Sequence, residues 1–161
     1  MENVNLSERE LAVLKEKAKK DSYLNRMVEK YEKLKKEADL DEEKALMIRI
    51  KSFEDACLEL GMKPKKIKCL SGKRGIASEK LAVIVKALNG KKHFKLPNDN
   101  VEHWHPVFYR RTNGTSLVFK GSSCDAENIT GGNSALHTLR SKALSDYCGK
   151  QFRHLWEEYI L

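Results

Sequence analysis

Behind Ser7-Glu8-Arg9-Glu10, which has the spacing of a helix capping box, Leu11, Leu14 and Ala18 follow three and four residues apart. Asp21-Ser22 offers a break. Beyond it Leu24, Met27, Tyr31, Leu34 and Ala38 repeat in alternating steps of three and four, the pattern of a helical seam. The two stretches differ in phase by one residue, which predicts two helices, or one helix with a local slip. Leu40-Asp41-Glu42-Glu43 opens a further helical stretch through Ile50. Ser52-Phe53-Glu54-Asp55 reads as a new cap for a short helix that ends at Gly61, with Pro64 preventing its resumption. Residues 63–76 read as a basic loop. Ser78 is expected to cap a helix carrying Leu81, Val83, Ile84, Val85, Ala87 and Leu88, apolar on more than one face and so placed in the core.

The pattern changes after Pro97. Pro106–Arg111 and Ser116–Lys120 flank Asn113-Gly114, a strong hairpin signal because both residues tolerate positive φ. A third strand is expected at Ala135–Arg140. Ser141 then caps one last helix, with Leu144, Tyr147, Cys148, Gln151, Leu155 and Tyr159 down one side. The fold class is therefore α+β: N-terminal helices, then a β-β-β-α unit whose small antiparallel sheet is covered by the C-terminal helix. Residues 1–47 read as a helical arm or hairpin and 48–161 as the α+β domain.

Composition sharpens this picture mainly through charge. Residues 61–120 hold 14 Lys and Arg against 3 Asp and Glu, while 1–60 hold 13 against 15 and 121–161 hold 4 against 5. One segment carries the whole excess, and a localised excess attracts polyanions where scattered lysines would only aid solubility. Lys63, Lys65, Lys66, Lys68, Lys73, Arg74, Lys91 and Lys92 are the candidate nucleic-acid contacts. Gly72 and Gly75 flank Lys73-Arg74, so backbone could approach a phosphate there. Lysine outnumbers arginine, which suits DNA or RNA backbone contact over base reading. A helix-turn-helix reading of Phe53–Met62 with Ile67 and Leu70 is weaker, because Pro64 and Ser71-Gly72 leave a second helix of about two turns.

No enzyme is expected. Ser71-Gly72-Lys73-Arg74-Gly75 lacks the order of a nucleotide-binding loop, and no nucleophile elbow or His-Glu-x-x-His occurs. Cys124, Asp125 and His137 have no pattern that makes them a catalytic set. His103-Trp104-His105 could ligate a metal on a strand, yet no further ligand is marked at a metal spacing. No cofactor is expected, and a place for Trp104 in the core is favoured. Cys57, Cys69, Cys124 and Cys148 form no Cys-x-x-Cys pair and read as reduced thiols. With no apolar run long enough for a membrane and no signal-peptide pattern, a cytoplasmic protein without a membrane partner is expected. The triplets at Asn5, Asn113 and Asn128 then read as chance matches to a glycosylation motif.

Several strings, Ile50-Lys51-Ser52-Phe53-Glu54-Asp55-Ala56-Cys57 with Leu60-Gly61, Leu81–Asn89, Pro106-Val107-Phe108, and Ser141 through Tyr147-Cys148-Gly149-Lys150-Gln151-Phe152, carry a resemblance. Over roughly residues 48–161 the chain resembles small uncharacterised proteins of Bacteroidetes genomes and their prophages. It departs from them in keeping only Trp104 of a tryptophan-rich segment and in a basic stretch richer in lysine. The resemblance implies a mobile-element setting and a shared fold, and it transfers no site residues. Two functions follow as expectations. One is a phage- or mobile-element-like accessory protein contacting nucleic acid non-specifically. The other is a protein-binding module, an adaptor or inhibitor of a host factor, docking through Leu24, Met27, Tyr31 and Leu34. Self-association through the same seam is a third, structural possibility.

Overall fold

The computed structural model describes residues 7–18, 22–64, 72–90, 103–111, 114, 116–125 and 137–161. Its contacts divide the chain into two units, Met1–Glu42 and Glu43–Leu161. The described elements are α1 (Glu8–Ala18), α2 (Ser22–Arg49), α3 (Phe53–Glu59), α4 (Gly72–Asn89), β1 (His103–Arg110), β2 (Leu117–Asp125), α5 (Lys142–Gln151) and α6 (Arg153–Ile160). The chain is thus α+β, with six helices and a two-stranded antiparallel sheet among the described residues.

In the first unit the capping box forms as expected. The Ser7 backbone N–H donates to Glu10 Oε2 at 2.8 Å and the Glu10 N–H to Ser7 Oγ at 3.4 Å. Lys15 Nζ reaches Glu32 Oε1 at 2.6 Å, tying α1 to α2. Among the described residues, Ala18 and Val28 are the buried apolar ones here. The stretch expected to start afresh at Leu40 is instead continuous with α2, because Asp41-Glu42-Glu43 is compatible with a helix interior and no Gly or Pro intervenes.

The second unit is built around α4. Leu81, Ile84 and Leu88 are fully buried and form one core with Leu46, Ile50, Leu144, Cys148, Phe152, Leu155 and Trp156. α3 starts on the expected capping box, Ser52 with Asp55, and closes at Gly61, whose φ of +66° a side chain would resist. α4, however, begins at Gly72 rather than at Ser78. The residues expected to end a basic loop are its first turns: no Pro lies between Gly72 and Ser78, and Ile76 and Ala77 already extend the apolar face.

β1 and β2 pair from His103–Asp125 to Arg110–Leu117, as the Asn-Gly signal implied, although Asn113 itself lies outside the described residues. The register slips between Val107 and Phe108, opposite Gly121, which takes φ +148°. That bulge sets Phe108 against Phe119, ring centroids 5.8 Å apart. α5 packs across both strands.

No third strand forms among the described residues of the expected segment; Ala135 lies outside them. Leu139 makes one isolated bridge with Trp104, at 2.9 and 2.7 Å. On its other side the Asn89 amide donates to the Thr138 carbonyl and accepts from the Arg140 N–H, both at 3.0 Å. Ser141 then caps α5 and ends the extended backbone, so the ladder stops at one pair. The last helix is also two: at Phe152 the backbone leaves helical values (φ −106°, ψ 26°) while its ring is 1% exposed, and α6 starts behind it.

Candidate nucleic-acid interface

Of the basic residues singled out from sequence, the structure describes Lys63, Lys73 and Arg74. Lys65, Lys66, Lys68, Lys91 and Lys92 lie outside the described residues, as does Cys69. Lys63 follows the α3 stop and is exposed. Lys73 and Arg74 are exposed in the first turn of α4, at the end where unpaired backbone N–H groups leave partial positive charge. Lys80, two turns on, stands on the azimuth of Lys73. Two of these cations rest on aromatic faces, Arg74 at 5.8 Å from the Tyr159 centroid and Lys80 Nζ at 5.6 Å from that of Phe53. Lys86 lies about 20 Å further along α4 and roughly 140° round it, so it belongs to a different surface.

Outside residues 61–120 the second unit tends to pair its cations with carboxylates. Arg49 meets Glu59 at 2.7 Å, Lys142 meets Asp146 at 2.6 Å, Arg153 meets Glu157 at 2.9 Å and the half-buried Arg140 meets Glu43 at 3.5 Å. Within that segment, Lys63, Lys73, Arg74 and Lys86 have no carboxylate partner among the described residues. Nor do Arg110, Arg111 and Lys120, which are exposed on the hairpin. Sequence reasoning singles out none of these three. The adjacent Arg110-Arg111 beside a turn is the signal that could have found them, since guanidinium groups suit phosphate.

The α2 seam is open on one edge. Met27 is 51% and Leu34 55% exposed, whereas Leu24 and Tyr31 are half-buried and Val28 is the seam neighbour that is buried.

Several other polar groups are held by burial or hydrogen bonds. His137 is buried with Nε2 at 3.1 Å from the Ser78 carbonyl, and burial lowers its pKa, so it faces the core of the unit. Burial pushes the Cys148 thiol up to about 12, and Cys57 is raised by the same cause, so neither offers a thiolate at neutral pH. Ser122 donates to Asp146 at 2.7 Å. Partial burial opposes ionisation of Asp146, yet Lys142 and Ser122 together hold its pKa below the usual value. Among the described residues no cluster of three metal-ligating side chains occurs, His103 and His105 included. No helix among them is long and apolar enough to cross a membrane.

No protein-family model, no curated protein and no solved structure matches this chain.

Proposed function

We propose that this protein is a mobile-element accessory protein that holds nucleic acid by its backbone, without strong sequence preference. The observation that carries this reading is the set of exposed cations without carboxylate partners among the described residues, Lys63, Lys73 and Arg74, within the one segment that holds the chain's charge excess. Cations already paired to carboxylates give little to a phosphate, whereas solvated ones gain by releasing its counterions. Arg74, with Cζ 5.8 Å from the Tyr159 ring centroid, carries a guanidinium suited to phosphate oxygens. The mobile-element setting rests on the resemblance of residues 48–161 alone.

Fluorescence anisotropy with labelled duplex and single-stranded DNA and RNA, across a salt series, tests the reading. Affinity is expected to fall steeply and linearly on logarithmic axes as salt rises. Replacing Lys63, Lys73 and Arg74 together by Ala reduces that slope by about 2–3, close to one for each phosphate no longer neutralised. Absence of binding to every probe at low salt refutes the function.

A further inference from the structure

The helical unit Met1–Glu42 carries an apolar outcrop. Val13 on α1 and Met27 and Leu34 on α2 are 54%, 51% and 55% exposed. The Lys15–Glu32 ion pair fixes how the two helices face each other. At about 100° per residue, Val13 lies roughly 160° round α1 from Lys15. Met27 and Leu34 lie roughly 140° and 160° round α2 from Glu32. Val13 therefore emerges from α1, and Met27 and Leu34 from α2, on the side of each helix turned away from that ion pair. An open cleft lined by Arg9, Glu10, Val13 and Leu14 includes one of them.

We propose that the exposed Met27–Leu34 face of α2 binds a second copy of the chain, α2 against α2 in antiparallel orientation about a two-fold axis. The charges beside the stripe select that occupant and that orientation. Met27, Tyr31, Leu34 and Ala38 advance by four, three and four, and the exposed Lys30 and Glu37 flank them on the edge away from Val28. With the two-fold near Glu32–Lys33, Tyr31 meets Leu34 of the second copy and Met27 meets its Ala38. Lys30 then faces Glu37 of the second copy, and symmetry makes that pairing twice. A parallel pair would instead set Lys30 against Lys35 of the second copy, like charge on like. The stripe is thus self-complementary in one direction only. The interface uses α2 and none of the residues proposed for nucleic acid.

Sedimentation equilibrium of the full chain over a concentration series tests the proposal, with a monomer–dimer equilibrium expected. Lys30→Glu puts like charges at both symmetric positions and raises the dimer dissociation constant about tenfold. Adding Glu37→Lys returns it toward the original value. Met27→Lys with Leu34→Lys gives a monomer of unchanged helical circular dichroism. A chain that stays monomeric at every concentration overturns the proposal, including one that instead forms a one-to-one complex with a different protein. So does a dimer indifferent to the Lys30 reversal, or a weakening that the double exchange does not rescue. The Lys63, Lys73, Arg74 triple-alanine chain is expected to dimerise normally, so either reading can fail without the other.

Discussion

A side chain at Gly149 would collide with Phe119: a Cβ there stands 2.5 Å from Phe119 Cε2 and 2.9 Å from Cβ of Pro106. α5 crosses the hairpin at this point, and the missing Cβ lets helix backbone rest on an aromatic edge. Glycine inside a helix costs about 1 kcal/mol against alanine, so Gly149→Ala would stabilise an isolated helix. Here the overlap outweighs that gain, and a net loss of about 1–3 kcal/mol is expected. Urea midpoints check it. Phe119→Leu in the Gly149→Ala background should recover part of the loss, whereas Phe119→Leu alone destabilises.

Asn89 joins the end of α4 to the segment before α5. Its amide serves the Thr138 carbonyl and the Arg140 N–H, and Arg140 Nη1 donates to the Asn89 carbonyl at 3.3 Å. Asn89 is 6% exposed, so a missing partner is not fully replaced by water. Asn89→Ala is expected to cost about 2–4 kcal/mol, since it leaves a buried donor and a buried acceptor unmet. Asn89→Asp keeps the acceptor for Arg140 but removes the donor to Thr138, and should fall between the two in thermal melts.

How much of this is legible in the sequence follows from how local each signal is. Ser52 and Asp55, three residues apart, bond each other's backbone N–H groups, so the chain announces that cap within four positions. The hairpin flanking Asn113-Gly114 is equally local. The single bridge at Leu139 is not, because its outer side is filled by Asn89 from a helix 50 residues earlier. A β-prone hexamer carries no trace of that partner. The early start of α4 is hidden by Gly72 and Gly75, which look like loop residues until Ala77 and Leu81 are seen to share a buried face. For the candidate interface, the excess of charge is visible in composition. Which cations lack carboxylate partners depends on tertiary placement: Arg140 and Arg110 look alike in sequence, and one is tied to Glu43 while the other is exposed.

His137 gives the second unit a dependence on mildly acidic pH. Its ring lies 5.0 Å from Tyr159 and 5.7 Å from Trp156, and Nε2 faces the Ser78 carbonyl, so the neutral ring donates. Burial lowers its pKa from the ordinary 6.5. The unfolded chain therefore binds a proton before the native one does, and stability falls as pH drops below about 6.5 toward the native value. The carboxylates Asp55, Glu59 and Glu157, lowered by hydrogen bonds, act in a lower window. Their contribution is complete above their unfolded values and fades only as pH falls through the native ones. His137→Phe should cost about 1 kcal/mol at pH 7 by removing the hydrogen bond, yet flatten the decline between pH 7 and 5. Denaturant titrations at the two pH values distinguish the slopes.

Arg110 and Arg111 extend the proposed interface beyond α4. Both are exposed beside the hairpin turn and neither has a carboxylate partner among the described residues. If the hairpin joins α4 in holding one nucleic acid, replacing both by Ala lowers the salt slope by about 2, additively with Lys73→Ala. If the two surfaces act separately, short single-stranded probes lose nothing on removing the arginines while long ones do. Arg110→Lys with Arg111→Lys keeps the charge, so the slope should be retained and only the affinity reduced modestly, because the bidentate fork is gone. Anisotropy with probes of two lengths decides between one continuous surface and two.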